Sequence, residues 1–101
     1  MKILLCCCAG MSTSILMMKM KKAARQQGKD YEFSAIGTER LDTMIAEFDV
    51  LLLGPQTSKI VGEPDELQRK YEKPVYVVSY DEYGLGKGDI VLEKIEKLLG
   101  I

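Results

Sequence analysis

The chain has no histidine and no tryptophan. Without histidine it cannot carry a phosphohistidine, a histidine-based triad or a histidine-ligated zinc ion of its own. Its cysteines do not form a disulfide framework. Cys6, Cys7 and Cys8 are odd in number and contiguous, and adjacent cysteines rarely reach the geometry of an unstrained disulfide. A secreted disulfide scaffold is therefore excluded, and a reducing cytoplasmic setting is expected. Long hydrophobic runs are missing too. The apolar opening Met1–Leu5 is too short for a signal peptide or a membrane span. Neither sign of charge dominates, with 14 basic and 15 acidic residues and a formal net charge of −1. No stripe of Lys and Arg interleaved with aromatics occurs, which argues against a nucleic-acid partner.

What is present has the balance of a soluble globular protein, with 47% hydrophobic and 29% charged residues. A chain of 101 residues has room for one modest core, so a single domain spanning 1–101 is expected.

Two periods alternate along the chain. Residues 2–7 (KILLCC) form a short apolar run that reads as a buried parallel strand. After the small turn Cys8-Ala9-Gly10, a helical stripe of Leu16, Met17, Met20 and Ala24 runs to a stop at Gly28. Residues 31–36 read as a second strand nearer an edge, followed by a short helix over about 39–47 burying Leu41, Met44 and Ile45. Val50–Leu53 is the third strand, stopped by Gly54-Pro55. A helical stretch near Gln56–Ile60 breaks at Gly62, and a further helix opens at Pro64 with Asp65 and Glu66 in its first turn. Residues 75–78 form the fourth strand. Residues 80–88 are expected to be a mobile glycine-rich loop, with Asp81, Glu82 and Tyr83 as solvated turn residues. The final helix from Asp89 is expected to bury Val91, Ile95 and Leu98, its charged residues forming only a wet face with a Glu93–Lys97 pair.

Strands separated by helices need crossover connections, which are right-handed in nearly every case. The expected fold is thus α/β, a small three-layer domain with a four-stranded parallel sheet, order 2-1-3-4, and helices on both faces. In such sheets ligands bind at the carboxyl ends of the strands. The cysteines fall at the first of those ends.

The segment from Cys7 through Cys8, Ala9, Gly10, Met11, Ser12, Thr13 and Ser14 joins this strand to a helix. Its successive backbone N–H groups and the helix terminus make an anion site, and they favour the thiolate of a cysteine held there. Gly10 allows close approach of the backbone to a ligand, and the three hydroxyls add donors or cap the helix. A thiolate within an oxyanion-binding loop is suited to a phosphocysteine intermediate. Taken singly, each feature has a plainer explanation. A strand cysteine is commonly a small core residue, which is the reading for Cys6, and a serine or threonine after a glycine turn is commonly a helix cap. The combination favours chemistry, although periodicity alone leaves Cys7 and Cys8 equivalent. Met11 at the loop tip suits an adaptable contact surface. Gly84-Leu85-Gly86-Lys87-Gly88 has neither the spacing nor the position of a dinucleotide fingerprint, and no triphosphate P-loop motif occurs.

The run Gly10-Met11-Ser12-Thr13-Ser14, followed by Leu52-Leu53-Gly54-Pro55-Gln56, closely resembles the lactose/cellobiose-type IIB component of the bacterial sugar phosphotransferase system. The likeness extends to Lys73-Pro74-Val75 and Tyr83-Gly84. It implies that the cysteine three residues before Gly10, Cys7, accepts a phosphoryl group from the phosphohistidine of a IIA protein. Cys7 then passes it to a sugar of the cellobiose, chitobiose or lactose type, presented by a membrane IIC permease. On this resemblance residues 8–14 bind the phosphoryl oxygens. Met11, Pro55, Gln56, Tyr83 and Gly84 belong to loops that neighbour the site or touch a partner. No cofactor or metal is expected, and IIA and IIC are expected to be separate chains, with this one meeting the inner face of the membrane only through IIC. Cys6 and Cys8 are not required by the family pattern, and Cys8 is read as an inert small residue.

Two other readings compete. A low-molecular-weight tyrosine-phosphatase-like hydrolase has a similar cysteine loop, and Asp81 is the candidate for its acid. That family needs an arginine six residues after its cysteine, where this chain has Ser12, Thr13 or Ser14. A thiol redox or metal-binding module is the non-enzymatic alternative. The chain has no C-x-x-C spacing, and three adjacent cysteines do not readily encircle a metal ion.

Overall fold

The computed structural model describes residues 1–6 and 10–101, the side chains of residues 10–14 excepted. Strands β1 (Lys2–Cys6), β2 (Glu32–Ile36), β3 (Val50–Leu53) and β4 (Val75–Val77) form one parallel sheet in the order β2-β1-β3-β4. This is the order expected from the sequence. Cys6 lies opposite both Ile36 and Leu53, and Leu53 lies opposite Val77, so the carboxyl ends of all four strands share one edge.

The two central strands are apolar at nearly every position because both faces of the sheet are covered. Side chains alternate between the faces. Ile3, Leu5, Val50 and Leu52 enter a first core, and Leu4, Cys6, Leu51 and Leu53 a second. The first is covered by α1 (Gly10–Gln26) and α6 (Gly88–Leu99), through Leu16, Met20, Ala23, Ala24, Val91, Leu92 and Ile95. Over the second lie α2 (Leu41–Met44), flanked by 3₁₀ turns at Thr38–Arg40 and Ile45–Glu47, and α4 (Pro64–Tyr71). Leu41, Ile45, Phe48 and Leu67 fill it. A short helix α3 (Ser58–Val61) ends at Gly62, whose φ of 120° suits glycine.

The carboxyl-terminal third departs from expectation. Residues 80–88 are not one open loop, because Tyr80–Gly84 form helix α5. Its start is fixed by a capping box. The Ser79 hydroxyl accepts from the Glu82 N–H at 3.1 Å, and the Glu82 carboxylate accepts from the Ser79 N–H at 3.0 Å. The Ser79-x-x-Glu82 spacing is the signal in the sequence that specifies this helix start, and the sequence reading did not use it. In α6 Leu98 is exposed and Leu92 takes its place in the core. The Glu93–Lys97 pair does lie on the wet side, at 3.5 Å.

Helix α6 also begins one residue earlier than expected, at Gly88. A Cβ at Gly88 would lie 2.4 Å from the Met20 backbone nitrogen and 2.6 Å from the Lys19 carbonyl carbon. The missing side chain is what lets α6 lie against the backbone of α1. Gly88→Ala is therefore expected to destabilise the protein by about 1–3 kcal/mol through overpacking. A lowered urea midpoint with an unchanged m value would report it, and an unchanged midpoint would show that the helices separate without cost.

Candidate active site at the carboxyl edge of the sheet

Four chain segments leave the sheet at its carboxyl edge, and those after β1, β3 and β4 bear on the candidate site. The first follows Cys6, the last residue of β1, which is fully buried in the second core. Cys7, Cys8 and Ala9, where the sequence puts the nucleophile and the start of the anion loop, lie outside the described residues. Beyond them α1 starts at Gly10, and its first turn holds no acidic residue. The amino terminus of this 17-residue helix thus carries no carboxylate of its own first turn, and the positive end of a helix favours an anion. Met11, Ser12, Thr13 and Ser14 belong to this first stretch of helix.

The second segment leaves β3. The Gly54 N–H donates to the Cys6 carbonyl at 3.2 Å, which extends the β1–β3 pairing to the mouth of the cysteine segment. Pro55 is half-buried and Gln56 exposed. Thr57 then turns back, its N–H donating to the Gly54 carbonyl at 3.0 Å and its carbonyl accepting from Ile60 and Val61 at 2.9 and 3.0 Å. Its side chain is 0% exposed, and its hydroxyl has no hydrogen-bond partner among the described residues.

The third segment leaves β4. The Val78 N–H donates to the Leu53 carbonyl at 2.9 Å, and Ser79 then caps α5. Glu82, expected as a solvated turn residue, is instead buried at 4% exposure. Its carboxylate accepts from Lys94 of α6 at 2.6 Å and from the Tyr76 hydroxyl of β4 at 2.8 Å. Burial by itself would raise the Glu82 pKa. The bonds from Lys94, Ser79 and Tyr76 outweigh burial and hold it at about 2. Tyr83 is half-buried and packs against the first core, whereas Asp81 and Gly84 are exposed. The sequence reading thus named Tyr83 and Gly84 but missed the Tyr76–Glu82–Lys94 cluster that fixes their helix.

The last helix carries a second buried carboxylate, beside the residues that lead into β2. Glu96 accepts from Lys29 and from the Tyr31 hydroxyl. Burial raises its pKa, but these partners bring it below the ordinary glutamate value. The charged residues of α6 therefore do more than wet one face. Beside them, an open cavity of about 560 Å³ is lined in part by Lys21, Arg25, Lys29 and Tyr31. It lies by the amino end of β2, away from the edge where the cysteines fall. Among the described residues no group of three or more His, Cys, Asp or Glu is placed to hold a metal ion, and no helix is long and apolar enough to cross a membrane.

A family model described as "PTS system, Lactose/Cellobiose specific IIB subunit" matches residues 2–94. Among curated proteins, the galactose-specific EIIB component of Lactococcus lactis subsp. cremoris is 44% identical over 86 residues, 80% of each chain. The cellobiose-specific EIIB component of Lactococcus lactis subsp. lactis is also 44% identical over 86 residues. An oligo-beta-mannoside-specific EIIB component of Bacillus subtilis is 35% identical over 98 residues, covering 97% of this chain and 95% of that one. Among solved structures, the cellobiose-specific IIB component of Borrelia burgdorferi superimposes with a TM-score of 0.75 at 32% identity, covering 97% of this chain and 90% of that one. The lactose-specific IIB domain of Streptococcus pneumoniae gives a TM-score of 0.80 at 15% identity, covering 96% and 95%, and so shares the fold.

Proposed function

The chain belongs to the lactose/cellobiose-specific IIB family of sugar phosphotransferase systems, and we propose that within it the protein is a phosphocarrier whose nucleophile is Cys7. The observation that carries this reading is the convergence at one edge of the sheet. There the cysteine run continues from Cys6 at the end of β1, and the amino terminus of α1, with no acidic residue in its first turn, comes three residues after Cys7.

The reaction consists of two in-line displacements. The Cys7 thiolate attacks the phosphorus of a IIA phosphohistidine; an S–P bond forms, the N–P bond breaks, and the histidine nitrogen leaves with the electron pair. Main-chain N–H groups of residues 8–14 hold the three peripheral oxygens as charge spreads over them. A sugar hydroxyl then attacks the same phosphorus, its proton passing to water as the O–P bond forms, the S–P bond breaks and the thiolate departs. The relatives are named for galactose, cellobiose and oligo-β-mannosides, and we assign the acceptor to the cellobiose, chitobiose or lactose class of β-glycosides. Selection among them falls to the IIC permease. The protein works in the cytoplasm and meets the membrane only through IIC.

Partner docking fits the same end of the molecule. On α1, Ile15 and Met18 are exposed, as are Tyr80 on α5 and Leu85 just after it. A Cβ at Gly86 would touch Ile15 at 3.3 Å, which brings the α5–α6 junction beside that helix. These apolar side chains, together with Pro55, Gln56, Tyr83 and Gly84, offer IIA and IIC a surface, to which Met11 is assigned by the sequence alone.

The test is intact mass after incubation with phosphoenolpyruvate, the general phosphotransferase proteins and a IIA protein. One added phosphoryl group is expected. No adduct in the presence of several charged IIA proteins would refute the carrier role, and turnover of an aryl phosphate would favour the hydrolase instead.

A further inference from the structure

The acidic residues of the chain begin at Asp30. Residues 1–29 hold six Lys or Arg and no Asp or Glu, whereas residues 30–101 hold eight and fifteen. Four of the six, Lys19, Lys21, Lys22 and Arg25, stand on α1, and all four are exposed. Among the described residues the ion pairs are made by Lys2, Lys29, Lys70, Lys94 and Lys97, and none by these four. Asp89 borders Lys19 and Lys22, and Asp30 and Glu32 border Lys21 and Arg25. None of these carboxylates pairs with the helix, and Glu32 pairs with Lys2 at 3.6 Å instead. Lys22 stands three residues from both Lys19 and Arg25, and Lys21 four from Arg25, spacings at which like charges weaken a helix. The helix dipole accounts only for Arg25, which lies in the last turn. Met18 heads the same exposed stripe, with Lys21, Lys22 and Arg25 at i+3, i+4 and i+7. Exposed Ile15 lies a turn nearer the start of α1.

We infer that Lys19, Lys21, Lys22 and Arg25 form a docking stripe for an acidic face of the phosphoryl donor IIA, and that their charge speeds the encounter with it. This rests on the phosphocarrier reading above. A row of cations left unpaired at a cost to its own helix is complementary to charge brought from outside. The stripe also distinguishes the two partners. Cytoplasmic loops of membrane proteins carry an excess of Lys and Arg, so a permease offers these cations no complement. A soluble donor is under no such bias, and a carboxylate-bearing face on it would be steered to α1 before the apolar contacts at Ile15 and Met18 close.

The experiment measures kcat/KM for phosphoryl uptake from phosphorylated IIA across a range of salt, for wild type and for the double variant Lys21→Glu/Lys22→Glu. Lys21→Glu places a carboxylate four residues before Arg25, and Lys22→Glu one three residues after Lys19. Both are favourable helix pairs, so the variant is expected to melt at or above wild type. At low salt its kcat/KM is expected to fall about ten- to a hundredfold. The gap is expected to close toward about 1 M salt, where screening sets in within roughly 3 Å. Lys21→Gln/Lys22→Gln, which only removes charge, is expected to lie between the two. Equal rates at low salt, or a deficit that salt does not change, overturn the inference. So does a variant that takes up the phosphoryl group normally but fails to pass it to sugar on membranes holding IIC, since the stripe would then belong to the permease. Wild type that takes up no phosphoryl group overturns the carrier reading itself, and this inference with it.

Discussion

Replacing Cys7 with serine is expected to abolish phosphoryl acceptance while leaving the circular dichroism spectrum that of the wild type. Serine differs by one atom, but its hydroxyl stays protonated at neutral pH, and no histidine anywhere in the chain can take its proton. A thiol ionises far more readily, and the positive end of α1 favours the anion further. The same substitution at the neighbouring cysteines separates the roles. Cys8→Ser is expected to keep most of the transfer. Cys6→Ser acts on stability instead, because Cys6 is fully buried in the second core among Leu4, Leu51 and Leu53. Intact mass of the three variants after exposure to phosphorylated IIA decides between them. An adduct that survives in Cys7→Ser and disappears in Cys8→Ser would move the nucleophile one residue along.

Acid is expected to weaken the fold through Glu82 well before the sheet itself is disturbed. The carboxyl of Glu82 is held at about 2 against an ordinary value of 4.5. A depressed carboxylate pKa stabilises the folded state above the unfolded value, and that stability is lost as pH falls through the folded value. The window therefore runs from about pH 4.5 down to about pH 2. The difference corresponds to about 3 kcal/mol at 1.36 kcal/mol per unit. Glu96, also held below the ordinary value, adds a contribution of the same sign. Glu82→Gln should flatten the curve of stability against pH in this window and lower the plateau above it, since Lys94 and Tyr76 lose a charged acceptor. Urea midpoints measured between pH 2 and 7 test this. A Glu82→Gln curve parallel to that of wild type would show that Glu82 titrates with its unfolded value.

Much of the architecture was legible because local and global signals agreed. Val50–Leu53 is apolar throughout and lies between Asp49 and Gly54-Pro55, and it forms a strand over those four residues. Pro64 opens α4 with acidic residues in the first turn, as its fixed φ and the helix dipole require. The misreadings cluster where long-range contacts overrule composition. Glycines at positions 84, 86 and 88 suggest a loose loop, yet Gly88 is glycine because the backbone of Met20 comes so close. Glu82 and Glu96 look like solvent-facing charges until partners 12 and 67 residues away are brought against them. At the candidate site, the family motif singled out Cys7 and the loops after β3 and β4. It gave no hint of Thr57, since a threonine's missing partner is a property of its surroundings.

The division of the core into two also bears on the order in which the chain can fold during synthesis. All the side chains of the second core lie between Leu4 and Val77. The first needs Val91, Leu92 and Ile95 over Ile3, Leu5, Leu16 and Met20. A growing chain can thus close one side of its sheet while the other stays wet, with the apolar stripe of α1 waiting for a helix not yet made. Over that interval the nascent protein exposes a sticky surface that the finished one does not have, and chaperones that bind greasy segments would find it there.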